Sequence, residues 1–363
     1  MTRTPSLTDP WMLGSLPVPN RVLLAPLAGI GNWFVRLQAK RYGAGMAVSE
    51  MVSSQAIHYG NEKTCKEMLR IDPREQRAGE DEWTGEWAGG PVSIQLFGED
   101  PAKMRSAAAR VIGAGADAID INMGCPVPKV RKTGAGAALL ADPDLAVELA
   151  RATVEGAQRA ASGRSGPGGE GVPPVTVKLR SGLRVGDESG FELAHRLVEE
   201  AGVAAIGFHP RSAAVHHKGT PDYALAARLV ESLPAPVILT GGLSDAEQIR
   251  EAFAQTGATA VMLARGALGN PWLFSELLEG RQGGPTREEV LRELDWTMDR
   301  AVEHLGEVRA TRYLRKFYPW YVVRLGLESR AAKRLQESLQ RAETLAQTRH
   351  LLEQASAPLV SSV

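Results

Sequence analysis

The chain lacks the features that mark several large classes of protein. It has only two cysteines, Cys65 and Cys125, among 363 residues. Two thiols build no disulfide framework, and neither lies in the paired Cys/His spacing of a zinc site, so no metal is expected. Reduced thiols fit a cytoplasmic setting, which is the localisation expected. No uninterrupted apolar run is long enough to span a bilayer, and no membrane contact is expected. Met1 to Pro10 is polar and carries no apolar stretch that would make a secretory signal. An excess of one charge is missing as well: 42 Lys and Arg balance 42 Asp and Glu, so only a local patch could serve nucleic acid.

What is present is a repeated unit. Short β-branched runs recur at Val22–Leu27, Met46–Met51, Val92–Phe97, Ala118–Met123, Val175–Leu179, Ala204–His209, Val237–Thr240 and Ala260–Leu263, each followed by a helix-like stretch. Continuous apolar runs alternating with helices indicate a parallel sheet covered on both faces. Eight such units in about 270 residues match a (β/α)8 barrel. Asp100-Pro101, Asp142-Pro143 and Ser244-Asp245-Ala246-Glu247 supply helix starts. Asp72–Gly90, acidic and Gly-rich with Trp83 and Trp87, and the Gly/Ser/Pro-rich Ala160–Pro174 read as surface insertions, tolerated loops of which the second is expected to be mobile. Both precede a strand, which puts them at the N-terminal face of a barrel. After Asn270-Pro271-Trp272 only amphipathic helical periodicity remains. The expected fold class is α/β, a TIM barrel over residues 1–280 followed by a small C-terminal all-helical domain over 286–363.

In such a barrel the strand C-termini face the active site. Those ends carry Ala25-Pro26-Leu27-Ala28, Ser49-Glu50-Met51, Gln95, Asn122 with Cys125, Lys178 with Arg180, His209 with Arg211, Thr240-Gly241-Gly242 and Ala264-Arg265-Gly266. The last two groups follow the seventh and eighth strands, where barrels often bind phosphate through backbone N–H groups. Lys178 lies in Val175-Thr176-Val177-Lys178-Leu179-Arg180 and needs a partner if buried. Three readings stand: a Schiff-base nucleophile, a cation opposite an anionic ring, or a salt bridge to Glu50. Cys125 also has three: an inert thiol, a nucleophile, or a proton donor. A nucleophile needs a base, and the sequence places no dedicated His beside Cys125. A donor needs only reach and an un-ionised thiol. Cys65, on a helix-like stretch, reads as a bystander. From Arg309 to Arg334 the chain has eight Lys/Arg against the single acid Glu328, with Tyr313, Phe317, Tyr318, Trp320 and Tyr321 interleaved. Two readings stand for this stretch: an RNA-binding surface, or a solvated face over core aromatics.

The run Asp120-Ile121-Asn122-Met123-Gly124-Cys125-Pro126, continuing through Lys129, Val130 and Lys132 to Gly134-Ala135-Gly136-Ala137-Ala138-Leu139-Leu140, closely resembles the signature of tRNA-dihydrouridine synthases, nearest to the bacterial B type. Ala25-Pro26-Leu27-Ala28-Gly29-Ile30, Gly43-Ala44-Gly45, Gln95, Lys178, His209 with Arg211, Gly269-Asn270-Pro271-Trp272 and Arg315-Lys316 with Trp320-Tyr321 extend the likeness over nearly the whole chain. The resemblance implies an FMN-dependent, NADPH-consuming oxidoreductase that reduces the C5–C6 bond of uridines in tRNA, with hydride delivered to C6 and a proton from Cys125 to C5. It implies FMN contacts at Pro26, Leu27, Ala28, Gln95, Asn122, Lys178, His209, Thr240, Gly241, Gly242, Ala264 and Arg265. Lys178 would face the anionic side of the reduced flavin. RNA would be held by Lys129, Lys132, Arg180, Arg211, Arg312, Arg315 and Lys316, and no obligate protein partner is implied. Against the family pattern the chain has Ala137 for a usual Ser, Pro210 for Gly, Thr240 for Asn, Gly242 for Asp and Ala264 for Gly. Two other functions fit parts of the sequence. One is an FMN barrel acting on a free pyrimidine, of the dihydroorotate dehydrogenase type. The other is an RNA-binding barrel without flavin.

Overall fold

Twelve strands run in chain order as β1 (Trp11–Leu13), β2 (Leu16–Val18), β3 (Val22–Leu24), β4 (Met46–Ser53), β5 (Gly79–Asp81), β6 (Gly85–Trp87), β7 (Val92–Phe97), β8 (Ala118–Met123), β9 (Val175–Arg180), β10 (Ala205–His209), β11 (Val237–Thr240) and β12 (Ala260–Leu263). Eight of them, β3, β4 and β7 to β12, pair in parallel with their chain neighbours, and β12 pairs back to β3 to close the barrel. This computed structural model describes residues 5–81, 84–161 and 171–356. Trp83 and most of the second expected insertion, residues 162–170, lie outside the described residues, and so does the mobility expected there.

The barrel strands sit where the apolar runs placed them. β3 stops early, at Leu24: the Ala25 amide still donates to Leu263 O at 2.8 Å, but Pro26 has no N–H to carry the ladder on. Helix starts follow their punctuation. The Asp100 carboxylate accepts from the Ala102 and Lys103 amides at 2.9 and 3.1 Å, and Asp245 accepts from Gln248 at 2.9 Å.

Two features exceed the sequence reading. The hairpin β1–β2 was not anticipated. Its Trp11, Leu13 and Val18 join Leu23, Met46, Ala205, Ile238 and Ala260 in one buried apolar cluster that fills the barrel beneath the site. The first insertion, expected as a plain loop, forms a short helix, Pro73–Gln76, and the hairpin β5–β6. A fully buried ion pair ties it to the helix Trp33–Arg41: Arg36 Nε and Nη2 donate to Glu75 at 2.6 and 2.9 Å. Lys40 donates to the carbonyls of Glu75 and Gly90 beside it. Buried donors are thus spent on main-chain acceptors that a loop would otherwise leave unpaired.

The chain divides into two compact units. One spans Met1–Gly266 and Leu273–Gly280, the other Ala267–Trp272 and Arg281–Val363. The described residues of the second unit beyond Arg281 form helices Arg287–Leu305, Glu307–Leu314, Tyr318–Val322, Ser329–Arg341 and Leu345–Ser356, with no strand. Its core holds Val290, Leu294, Met298, Leu314, Phe317, Tyr318, Tyr321 and Leu339. Three of the five aromatics that accompany the basic run are therefore core residues. Tyr321 Oη lies 3.1 Å from Thr297 Oγ1, satisfying a buried hydroxyl. No helix among the described residues is long and apolar enough to cross a membrane.

Candidate active site at the barrel mouth

Strand period decides which side chains share the barrel interior. Positions two apart face the same way, and the hydrogen bonds show that Gln95 of β7, Asp120 and Asn122 of β8 and Thr176 of β9 face inward together. Asp120 Oδ2 accepts from Gln95 Nε2 and Oδ1 from Thr176 Oγ1, both at 2.6 Å. Gln95 Oε1 accepts from Asn122 Nδ2 at 2.9 Å. Asn122 Oδ1 then accepts from the amides of Gly124 and Cys125 at 3.2 and 2.9 Å. Leu23 of β3, Met46 and Val48 of β4, Ile238 of β11 and Ala260 and Met262 of β12 belong to the buried apolar cluster, whereas β7, β8 and β9 contribute the polar groups just named.

A bulge in β4 contributes to this polar side. The β4–β7 register shifts between Val48 and Met51, and the Gln95 amide bonds to Ser49 Oγ at 3.0 Å across the break. Glu50 Oε2 accepts from the Gly29 amide at 2.9 Å. A Lys178–Glu50 bridge does not form: among the described residues Lys178 makes no hydrogen bond or ion pair. Gly207 on β10 makes room for it, since a Cβ there would sit 3.3 Å from Lys178 Cγ. Desolvation, with the Arg180 cation adding to it, pulls the Lys178 ammonium down to about 8, against the opposing pull of Asp120 and Cys125. Asp120 is pushed up to about 6 by burial, restrained by Thr176, Gln95 and the Lys178 charge.

The Cys125 turn is held entirely through main-chain atoms. Besides the Asn122 contacts, Arg180 Nε donates to Gly124 O at 2.9 Å and the Ala137 amide donates to Cys125 O at 3.0 Å. Gly136, at φ 64°, permits that approach, because a Cβ there would lie 2.9 Å from Cys125 O. Lys129 and Lys132 follow on an exposed short helix, Pro128–Arg131, and its end.

Past β9 and β10 lies a cluster of cations. Arg180 Nη1 donates to the carbonyls of Ser212 and His216 at 3.0 and 2.7 Å, and Arg211 Nε and Nη2 both donate to Gly219 O at 3.1 and 2.6 Å. The two guanidinium groups thereby strap residues 212–219 over the rim, where His216 holds a left-handed φ of 53°. Arg211 Nη1 also donates to His209 Nε2 at 3.3 Å, which assigns His209 the neutral tautomer with its proton on Nδ1. Burial and the surrounding cations Lys178, Arg180 and Arg211 hold His209 well below its ordinary range. His217 stacks on it at 6.2 Å and is lowered to about 4 by burial, with Arg265, Arg180 and Arg211 adding to the effect. Arg180 itself falls to about 10 through burial and the neighbouring Arg211. Arg265, exposed after β12, makes no hydrogen bond or ion pair among the described residues. Ser212 Oγ is buried with no hydrogen-bond partner among them. Mutual repulsion of this kind, with no carboxylate set against these groups among the described residues, is the electrostatics of an anion site.

Gly241 and Gly242 close the cluster, at φ 94° and 79°. An added Cβ on Gly241 would run into the His209 ring, and one on Gly242 would meet Pro221 at 2.6 Å. Gly241→Ala is therefore expected to cost at least about 1 kcal/mol of stability and to push His209 out of place. A thermal melt with a ligand-content measurement on the purified variant checks both effects. Thr240 is buried just before this turn, and Ala264 is half-buried before Arg265. After β3, which pairs with β12, Leu27 is buried, Pro26 half-buried and Ala28 exposed.

The structure thus gathers Gln95, Asn122, Cys125, Lys178, Arg180, His209, Arg211, Thr240, Gly241, Gly242, Ala264 and Arg265 on strand ends of one barrel. Of the basic residues anticipated in the second unit, Arg312 and Lys316 are exposed, and Lys316 lies 4.4 Å above the Tyr313 ring. Arg315 instead turns inward and donates to Ala342 O at 3.2 Å. Sequence reasoning assigned no role to Asp120, Thr176, Ser212 or His217. The two-residue spacing of Asp120 from Asn122, and of Thr176 from Lys178, was the available signal for the first two.

Comparison with known proteins converges on one family. The sequence model of the dihydrouridine synthases matches residues 23–359. The tRNA-dihydrouridine synthase B of Xanthomonas axonopodis pv. citri (strain 306) is 33% identical over 318 residues, covering 85% of this chain and 86% of that protein. That of Pseudomonas aeruginosa PAO1 is 34% identical over 321 residues, covering 86% and 87%. Among solved structures, morphinone reductase in complex with tetrahydroNAD is similar with a TM-score of 0.51 at 18% identity, over 77% of this chain and 93% of that one. A histamine dehydrogenase from Rhizobium sp. 4-9 gives 0.53 at 14% identity, over 76% and 48%. At these identities the solved structures speak for the barrel fold alone. The near full-length family match, together with the identity to both relatives, shows that the chain belongs to the dihydrouridine synthase family.

Proposed function

We propose that this protein reduces the C5–C6 double bond of uridines in tRNA, using FMN and NADPH. The observation that carries this reading is a thiol, Cys125, on the same rim as an ammonium, Lys178, with no hydrogen-bond or ion-pair partner among the described residues, and a cation cluster that no carboxylate among them faces. The relatives named above bear the name of that activity.

The residues fit FMN. Its phosphate matches the anion site, where His209, Thr240, Gly241, Gly242, Ala264 and Arg265 would hold the phosphate and ribityl chain. The two left-handed glycines leave their amides open to close approach. Pro26, Leu27 and Ala28 would line the ring, with Gln95, Asn122 and Lys178 along its edge. Gln95 keeps one N–H and one lone pair after its bonds to Asp120 and Asn122. Asn122 has less to offer, since Oδ1 already accepts two bonds and Nδ2 donates to Gln95 and, at 3.6 Å, to Met51 Sδ. When bound, FMN supplies the hydride for uracil C6 after reduction by NADPH.

The chain's own groups do the rest. Cys125 Sγ–H gives its proton to C5, which general acid catalysis makes worth ~10²–10⁴-fold. Lys178 provides positive charge where negative charge builds on the ring. A uridine must leave the RNA stack to reach the site, at an unstacking cost of a few kcal/mol. Lys129 and Lys132, exposed beside Cys125, and the exposed Arg312 and Lys316 of the helical unit are proposed to grip the RNA backbone, while Arg315, bonded to Ala342 O, supports the helices that carry them. Arg180 and Arg211 contribute charge and fix the 212–219 strap. The barrel unit would carry the chemistry and the helical unit the RNA.

Two measurements test the reading. The purified protein should show the visible absorption of a flavin, and a strain lacking its gene should lose dihydrouridine at one or more tRNA positions by mass spectrometry. Colourless protein that takes up no FMN, or unchanged dihydrouridine, would sink it. Replacing either exposed cation, Arg312→Ala or Lys316→Ala, should weaken tRNA binding and reduce the slope of log affinity against log salt by about 1 for each phosphate no longer neutralised. A filter-binding titration at several salt concentrations reads this directly.

A further inference from the structure

We propose that Asp120 is a positioning residue for Cys125: an obligate acceptor that sets the direction of a hydrogen-bond chain running through Gln95 and Asn122 to the Cys125 amide. The proposal rests on the reading of Cys125 as the proton donor. Side-chain amides can flip, because oxygen and nitrogen have nearly the same shape. An ionised carboxylate cannot donate, so Gln95 must turn its Nε2 toward Asp120 Oδ2. Its Oε1 is then left for Asn122 Nδ2. Asn122 must in turn present Oδ1 to the Gly124 and Cys125 amides. Each link fixes the next, and Thr176 Oγ1 anchors the far end by donating to Asp120 Oδ1 at 2.6 Å. The turn that carries the thiol is thus oriented from inside the barrel by a residue that touches neither substrate nor cofactor.

The chain also ties the orientation to pH. Protonated Asp120 gains a donor, and the imposed direction is lost. Burial raises this carboxyl to about 6, so the loss falls just below neutrality. Among the described residues the charge acting on Asp120 is that of Lys178, which with its own value near 8 stays charged throughout that window. Arg180 and Cys125 act on Lys178 in turn, while His209 and His217 are already neutral there.

The test uses the holoenzyme and its two half-reactions. Asp120→Asn keeps the side chain's shape but removes the obligate acceptor. With the variant reconstituted to full FMN occupancy, it should slow reoxidation by tRNA about ten- to a hundredfold with little change in KM, the scale of a misplaced reacting group, and slow reduction of the bound FMN by NADPH much less. The wild-type rate of tRNA reduction should fall through an acid limb near pH 6 that Asp120→Asn lacks. Thr176→Val, which removes a bond that favours the ionised carboxylate, should move that limb to higher pH. In flavin-free protein, hydrogen exchange at the 122–127 segment should quicken in Asp120→Asn. An active wild type without the limb, or an Asp120→Asn variant that keeps both limb and rate, overturns the proposal and leaves the proposed activity standing. Should wild type lack activity on tRNA, the activity reading fails, and unchanged exchange at 122–127 then defeats the positioning claim separately. If Asp120→Asn does not fold, the direction in which Thr176→Val moves the limb decides.

Discussion

Cys125→Ala is expected to bind FMN and to be reduced by NADPH at close to the wild-type rate, while tRNA reduction falls ~10²–10⁴-fold, the usual worth of a positioned general acid. The separation follows from how the turn is held. Asn122 binds the Gly124 and Cys125 amides, Arg180 binds Gly124 O, and Ala137 binds Cys125 O. None of these bonds uses the sulfur, so its removal leaves the loop and the neighbouring rim in place. The nucleophile reading gains nothing from the geometry: His209 lends Nε2 to Arg211 and stacks on His217. Stopped-flow traces of the two half-reactions, with mass spectrometry of the tRNA product, measure the split. Loss of flavin from Cys125→Ala would make the thiol a structural element. Slowing of both half-reactions alike would place it in contact with the nicotinamide step instead.

The parts of this site that were legible in the sequence are those fixed within a single β/α unit. Asn122 and Cys125 are three residues apart, and the strand that ends between them is written in Ala118–Met123. The same holds for Lys178 on β9 and for the glycines after β11. What escaped depends on pairing between strands. Asp120 meets Gln95 and Thr176 only because β7 and β9 flank β8 in a register that pairs Gln95 with Asp120 and Asp120 with Thr176. Arg180 and Arg211 read as free cations for RNA, yet most of their bonds go to carbonyls of residues 212, 216 and 219, a strap whose course no local pattern encodes. The helical unit is a case where a signal was present and ambiguous. Leu314, Phe317, Tyr318 and Tyr321 fall at three- and four-residue spacing and are buried, so the stripe is core and the RNA reading rests on the exposed basic residues alone. The hairpin β1–β2 escaped because its strands are three residues each, too short for alternation to register.

Lys178→Met should slow reduction of the flavin by NADPH ~10²–10³-fold, the scale of losing a preorganised electrostatic group, and lower the flavin's midpoint potential. The reason is visible in the protein without any ligand. Lys178 has no hydrogen-bond or ion-pair partner among the described residues, and its ordinary value of 10.5 drops to about 8, with desolvation the largest cause. A fold that keeps an ammonium in that condition is poised for negative charge to arrive. Linkage gives a second readout that does not depend on turnover. Between about 8 and 10.5 the unfolded chain holds a proton on Lys178 that the folded chain has released. Stability therefore rises with pH across that window wherever the unfolded state binds more protons. Flavin-free wild type should gain stability over Lys178→Met as pH climbs from 8 to 10.5, by urea denaturation. Anionic flavin bound beside Lys178 would favour the ammonium, raise its pKa and push that gain to higher pH. A wild type whose pH profile matches that of Lys178→Met, with and without FMN, would remove Lys178 from the flavin's surroundings. Parallel profiles together with an unchanged potential would leave its charge without a role in the reaction.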